Sequence, residues 1–173
     1  MRKVLEGTVL LCLMAGLVQG PAATPSAQAD ETSHYACLEE EREALERGQG
    51  FGMALVADRN GYPGPRHLLD LKQRLHLSAD QEQEMQELFG RMQTRAVAVG
   101  KELLGKETEL DRLFAGGEPE EANVRRLLSE SAALRAELRW VHLSAHLEAR
   151  RLLTPEQRAH YHALRYQSAQ HAH

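Results

Sequence analysis

The chain has 173 residues, 42% of them hydrophobic and 27% charged, with a formal net charge of −4. That length suits one domain. The acidic balance argues against nucleic acid as a partner, and a single cysteine beyond residue 29 excludes a fold framed by its own disulfides.

Met1-Arg2-Lys3 is a basic head, Thr8 to Val18 an apolar run, and Ser26-Ala27-Gln28-Ala29 a small-x-small site before Asp30. This pattern predicts a secretory signal over residues 1–29, cut after Ala29, and an exported protein. The run is shorter than the roughly 20 apolar residues a spanning helix needs, and Leu11 is too large to precede a lipidated Cys12. Residues 30–64 read as a leader with short helices. Cys37 to Arg47 is a charged helix that Gly48 ends, Gln49-Gly50-Phe51-Gly52 is a flexible break, and Met53 to Arg59 is a second short helix stopped by Asn60-Gly61. Cys37 reads either as a bridge between subunits or as a small half-buried apolar residue.

Tyr62-Pro63-Gly64-Pro65 is the tightest turn signal, and Pro65 suits the start of a helix over Arg66 to Leu75. Its leucines, Leu68, Leu69, Leu71, Leu75 and Leu77, need a partner, and the base of a hairpin would supply one. That hairpin runs from Ser78 to Gln157. Leu77-Ser78-Ala79-Asp80-Gln81 opens its first helix, and Leu153-Thr154-Pro155-Glu156-Gln157 opens the helix that follows its second. In each, Ser78 or Thr154 stands three residues before a Gln, the spacing of a capping box. Ala115-Gly116-Gly117-Glu118-Pro119 breaks the middle, its glycines ending one helix and its proline opening the next. Upstream, Met85, Phe89, Met92, Ala96, Val99, Leu103, Leu110 and Leu113 form a stripe with Lys106 as its polar interruption. Downstream, Val124, Leu127, Ser131, Leu134, Leu138, Val141, Ala145 and Leu152 face it, slipping a place near Glu148. The first long helix, over 79–115, predicts a span of roughly 55 Å. A last helix to Gln167 puts Tyr161 and Leu164 inward and leaves Ser168 to His173 as a His-containing tail. The fold class is all-α, with residues 65–167 as a long antiparallel helical hairpin. Seven acids and two arginines in residues 30–47, against four arginines, four histidines and one glutamate in 150–173, predict attraction between head and tail.

Two Leu-Ser/Thr-x-x-Gln caps bracketing a hairpin behind a signal sequence resemble the LTxxQ proteins of the Spy/CpxP/ZraP superfamily. Asn60-Gly61-Tyr62-Pro63-Gly64-Pro65 before a leucine-rich helix is similar to their periplasmic heavy-metal sensor subset. The resemblance covers about residues 35–166 and rests on Leu77, Ser78, Gln81, Leu153, Thr154 and Gln157. It implies a hooked hairpin that dimerises into a curved cradle, holding either unfolded protein or a metal.

His142-Leu143-Ser144-Ala145-His146 puts two imidazoles on one helix face at a spacing that one transition-metal ion can bridge. Counting equally both ways from Gly116-Gly117 sets Glu87, Arg91 and Met92 opposite. Glu87 offers an oxygen for zinc, Met92 a thioether for copper(I), and Arg91 opposes any cation. The plain alternative is that both histidines flank the apolar stripe, half exposed and binding nothing. His160, His162, His171 and His173 read as a solvated tail. Arg135 and Arg139, with Trp140 and Leu147, read as a basic and apolar surface for clients or for a second subunit. Leu104, Phe114, Leu128 and Val141 fall beside the stripes and should also meet water in a monomer.

No nucleophile elbow, His-Glu-x-x-His or phosphate loop occurs, so catalysis is not expected. The first expectation is a periplasmic stress-response protein that binds unfolded or misfolded envelope proteins without ATP. The alternative is a sensor or buffer of zinc, copper or nickel acting through a membrane signalling partner. Neither needs a bound cofactor, and both expect a homodimer.

Overall fold

A computed structural model of the chain describes residues 39–170, with side chains described through residue 165. The expected signal sequence, the start of the leader, Cys37 and the last three residues lie outside the described residues. Every element within them is helical. A short helix, α1, covers residues 39–46; then follow α2 (Leu55–Arg59), α3 (Pro65–Asp70), α4 (Ala79–Ala115), α5 (Glu121–Arg151) and α6 (Pro155–Gln170). No described helix is long and apolar enough to cross a membrane.

α4 and α5 form the antiparallel hairpin, and the apolar spacing places its seam. Met85, Ala96, Val99 and Leu103 on α4, and Leu127, Leu138, Val141 and Ala145 on α5, are buried. Leu88, outside the expected stripe, is buried as well, while Phe89, Leu110 and Leu113 are only half covered. Lys106 interrupts the seam as anticipated and bridges Glu109 at 3.1 Å and Glu130 at 3.2 Å. Toward the tip, cover thins. Phe114 is exposed, and the core clusters reach no further along α4 than Leu103 and Leu104.

Several boundaries differ from the sequence reading. α3 stops at Asp70, with Leu71 as its C-cap, and residues 71–76 continue as turns rather than helix. His76, at φ +51°, sits in the left-handed region, which a continuing helix forbids. Leu75 nevertheless stays buried, so the leucine-rich segment closes the base without needing helical spacing. α5 begins at Glu121 behind Glu120, so Pro119 precedes the helix instead of opening it. α6 runs on to Gln170, past the expected end.

Two clusters form the core. At the base, Leu68 and Leu75 meet Met85 and Leu88 of α4, Ala145 and Ala149 of α5, and Leu153, Tyr161 and Leu164. In the middle, Leu45 of α1 packs on Ala96, Val99 and Leu103 of α4 and on Leu138 and Val141 of α5. Val141 thus meets core rather than water, and Leu104 is partly covered beside it. α1 approaches so closely that a Cβ on Gly100 would lie 2.7 Å from the Leu45 carbonyl oxygen. The acidic head reaches the hairpin, with Glu41 bonded to Arg135 at 2.6 Å. Asp58 is the acid that meets the basic C-terminal segment, through Arg165.

Candidate functional site

Both Leu-Ser/Thr-x-x-Gln motifs form complete capping boxes. Gln81 N–H donates to Ser78 Oγ at 3.2 Å, and Ser78 N–H donates to Gln81 Oε1 at 3.0 Å. The second box has the same pattern, with Gln157 N–H to Thr154 Oγ1 at 3.2 Å and Thr154 N–H to Gln157 Oε1 at 3.0 Å. The two boxes are also joined to each other. Gln81 Nε2 donates to Gln157 Oε1 at 2.8 Å, and Gln157 Nε2 returns a bond to Gln81 Oε1 at 3.0 Å. Each amide also reaches the carbonyl two residues before the other's cap, Leu152 for Gln81 at 2.7 Å and His76 for Gln157 at 3.3 Å. A glutamate in either place would lose the donors, and an asparagine would be a methylene too short. The motif is therefore a clasp between two chain reversals, with Leu153 buried and Leu77 half-buried beside it.

The histidine pair lies deeper than the half-exposed edge expected if it bound nothing. His142 is 4% exposed and His146 is 9%, because the segment between α1 and α3 crosses directly over both rings. A Cβ on Gly50 would lie 3.2 Å from His142 Nδ1, and one on Gly64 would lie 2.8 Å from His146 Nε2. The glycines of the expected flexible break and of the Pro-Gly-Pro turn are thus the residues that let backbone rest on imidazole. His146 Nδ1 is 2.7 Å from the Tyr62 carbonyl oxygen, an arrangement that protonates Nδ1 and leaves the lone pair on Nε2. His142 Nε2 is buried without a hydrogen-bond partner. Burial pushes both imidazoles below their ordinary value. The nearby His146 pushes His142 further down, while Tyr62 and Asp58 partly restore His146.

Beside the pair opens a cavity of about 590 Å³, walled by Phe51, Leu55, Phe89 and Met92 among others. Of the expected donors, Met92 lines it with His142 and His146. Glu87 does not: it hydrogen-bonds Gln83 at 3.1 Å and borders an open groove with Gly90 and Arg91. Arg91 turns to Glu148 at 2.8 Å. Among the described residues, no three His, Cys, Asp or Glu side chains are placed to hold one ion. Met92 adds a thioether to the two imidazoles on that lining, a combination that would suit a soft monovalent ion better than zinc.

Asp58, which the sequence analysis does not single out, is buried. It accepts from Tyr161 Oη at 2.9 Å, pairs with Arg165, and lies 3.4 Å from His67 Nδ1. Desolvation, then the Asp58 hydrogen bond, holds the Tyr161 phenol well above its ordinary range.

The expected client surface divides in two. Arg135 is tied to Glu41 and, at 3.5 Å, to Glu107, and the Glu41 bond raises its pKa further. Arg139 is exposed, with no ion pair among the described residues. Trp140 is 56% exposed, and Leu147 is exposed too. At 3.6 residues per turn, Ala133, Ala136, Trp140, Leu143 and Leu147 line the face of α5 turned away from α4.

No curated protein and no solved structure matches the chain. The family model described as LTXXQ motif family protein matches residues 65–165, which begin at α3 and take in both caps of the clasp. The chain belongs to the LTXXQ motif family, the family of Spy/CpxP-like periplasmic proteins.

Proposed function

We propose that this protein acts in the periplasm as a stress-response protein that binds exposed apolar segments of unfolded envelope proteins without ATP. The carrying observation is the stripe of Ala133, Ala136, Trp140, Leu143 and Leu147 on the outer face of α5, with the unpaired Arg139 at its edge. A helix whose inner face is already buried against α4 has no folding use for a second apolar face. Tryptophan and arginine are the residue types that most often anchor protein contacts. A shallow convex stripe buries little area per client, so binding is transient and needs no nucleotide to release it. A second copy of the chain can share the stripe, and the reading includes a homodimer. The test is aggregation of a chemically denatured client with one equivalent of protein. Suppression that Trp140→Ser weakens supports the reading; a folded protein without suppression refutes it.

A second reading has one observation in its favour, the orphaned Nε2 of His142 beside His146 and Met92. These three side chains would hold copper(I), in a sensor or buffer that signals through a membrane partner. Titration of tag-free residues 30–173 with copper(I), zinc and nickel decides it. Submicromolar copper(I) binding that His142→Ala and His146→Ala both abolish supports this reading, and heats unchanged by both substitutions refute it.

A further inference from the structure

Phe51 is costly where it stands. Its φ of +36° places a bulky residue in the left-handed region that glycine and asparagine favour. Its ring is 50% exposed, so burial returns little for that strain. It also sits between Gly50 and Gly52 at the mouth of the cavity beside the histidine pair. Strain held at a cavity mouth, with no packing to justify it, points to function.

Phe89 lines the same cavity, with Met92 and Leu55 as further apolar residues of the lining and Arg66 5.9 Å from the Phe89 ring centroid. The charges around the cavity already answer one another. Arg47 pairs with Glu43, Arg66 with Asp70 at 3.2 Å, and Asp58 with Arg165 and His67. No ion is left for an ionic ligand to satisfy, so the complementary occupant is uncharged. Two aromatic rings and a thioether on one lining favour an aromatic guest, through edge-to-face and sulfur contacts. At about 590 Å³ the space falls within the range of pockets that enclose small ligands.

We propose that this cavity is a subsite for an uncharged aromatic side chain, phenylalanine, tyrosine or tryptophan, of a bound polypeptide, with Phe51 as its movable wall. The proposal rests on the polypeptide-binding reading and adds a discrete, side-chain-selective site to it. Trp140 belongs to a different flank of α5, since His142, two residues on, is turned about 160° away from it.

The chain's own phenylalanines provide the test, because Phe51 and Phe89 line the cavity while Phe114 stands at the hairpin tip. The full mature chain, labelled with ring-¹³C phenylalanine, is titrated with the peptide acetyl-Gly-Ser-Phe-Ser-Gly-amide and with its Phe→Ala counterpart. Saturable shifts of Phe51 and Phe89 with the first peptide, a still Phe114, and no response to the second are expected. Phe51→Gly suits the backbone, so it should fold at least as stably yet bind the peptide about tenfold more weakly, the loss of one aromatic contact with its burial. Equal affinity in Phe51→Gly, or shifts confined to Phe114, would overturn the proposal. If a denatured client perturbs Trp140 while both cavity phenylalanines stay still, the aromatic subsite fails and the client-binding reading stands. If a client perturbs no residue, both fail.

Discussion

Gln81 and Gln157 exchange a pair of amide hydrogen bonds, at 2.8 and 3.0 Å, across 76 residues of chain. Each is also the third helical residue of its own capping box, so one side chain starts a helix and fastens it to another. Truncating either amide strips both functions. Gln81→Ala or Gln157→Ala should cost about 2 kcal/mol each, since every net hydrogen bond contributes roughly 1 kcal/mol and the partner amide is left partly unsatisfied. The double variant should cost less than the sum by about 1 kcal/mol or more. Urea denaturation of the two single variants and the double measures the coupling, and strict additivity would show that the clasp bonds are not shared.

Gly100→Ala and Gly105→Ala form a matched pair on α4. A methyl at position 100 would press on the Leu45 carbonyl at 2.7 Å, a backbone atom that can yield only if α1 shifts, whereas nothing lies within 4 Å of position 105. Gly105→Ala should therefore stabilise the protein by up to about 1 kcal/mol through helix propensity alone. Gly100→Ala should lose about 1–3 kcal/mol through overpacking. Hydrogen exchange should show the loss as faster exchange over residues 39–48 with the hairpin unchanged.

The histidine pair makes stability depend on pH in a definite direction. Burial holds both imidazoles below 6.5 in the folded state, so the unfolded chain binds more protons as the pH falls. The contribution is complete above pH 6.5 and declines below it, through the depressed folded-state values. Unfolding midpoints in urea should hold steady from pH 8 to 7 and drop as the pH falls below 6.5. His142→Gln should flatten part of that drop, and a drop of the same size in this variant would assign the titration elsewhere.

Much of this was legible in the sequence, and where it was not the cause is physical. Both caps, the glycine break and the bounds of α4 follow from local chemistry, so Ser78, Gln81 and Gly116 can be read without a third dimension. The helix expected to reach Leu75 ended at Asp70 because burial of Leu75 is secured by tertiary contact, which tolerates turns as well as helix. The histidines were placed at a half-exposed edge because their spacing relative to Leu138 and Val141 is all that the sequence displays. What buries them is the segment carrying Gly50 and Gly64, distant in sequence, and glycines carry no side-chain pattern from which such a crossing can be read. Glu87 was paired with His142 by an even count from the tip, and the count holds, with Arg95 reaching Glu137 and Gln81 the Leu152 carbonyl, but Glu87 lies on the flank of α4 that carries Gln83 and Arg91. The clasp between Gln81 and Gln157 was visible as two caps and invisible as one object.

Trp140→Asp tests the shared stripe on α5. If Trp140 lies between subunits, sedimentation at tens of micromolar should shift from dimer to monomer with helicity unchanged. If it only contacts clients, the dimer should persist while suppression of aggregation falls. A wild-type chain that sediments as a fully helical monomer at this concentration, well above the roughly 1 μM dissociation constant of a moderate dimer, would refute the homodimer.

The hairpin is braced unevenly along its length. Near the base, α3, α6 and the clasp hold it, and further along Leu45 of α1 packs on Leu103. Beyond the bridge in which Arg135 joins Glu41 of α1 to Glu107, the last two turns of α4 have only α5 beside them among the described residues. The molecule is mechanically a cantilever, a thick root carrying a slender arm, and a sideways force on Phe114 concentrates its bending moment where α1 ends its support. Gly105, with no side chain and nothing within 4 Å of where one would begin, lies beside that bridge, so the root takes its stiffness from many neighbours and the arm from α5.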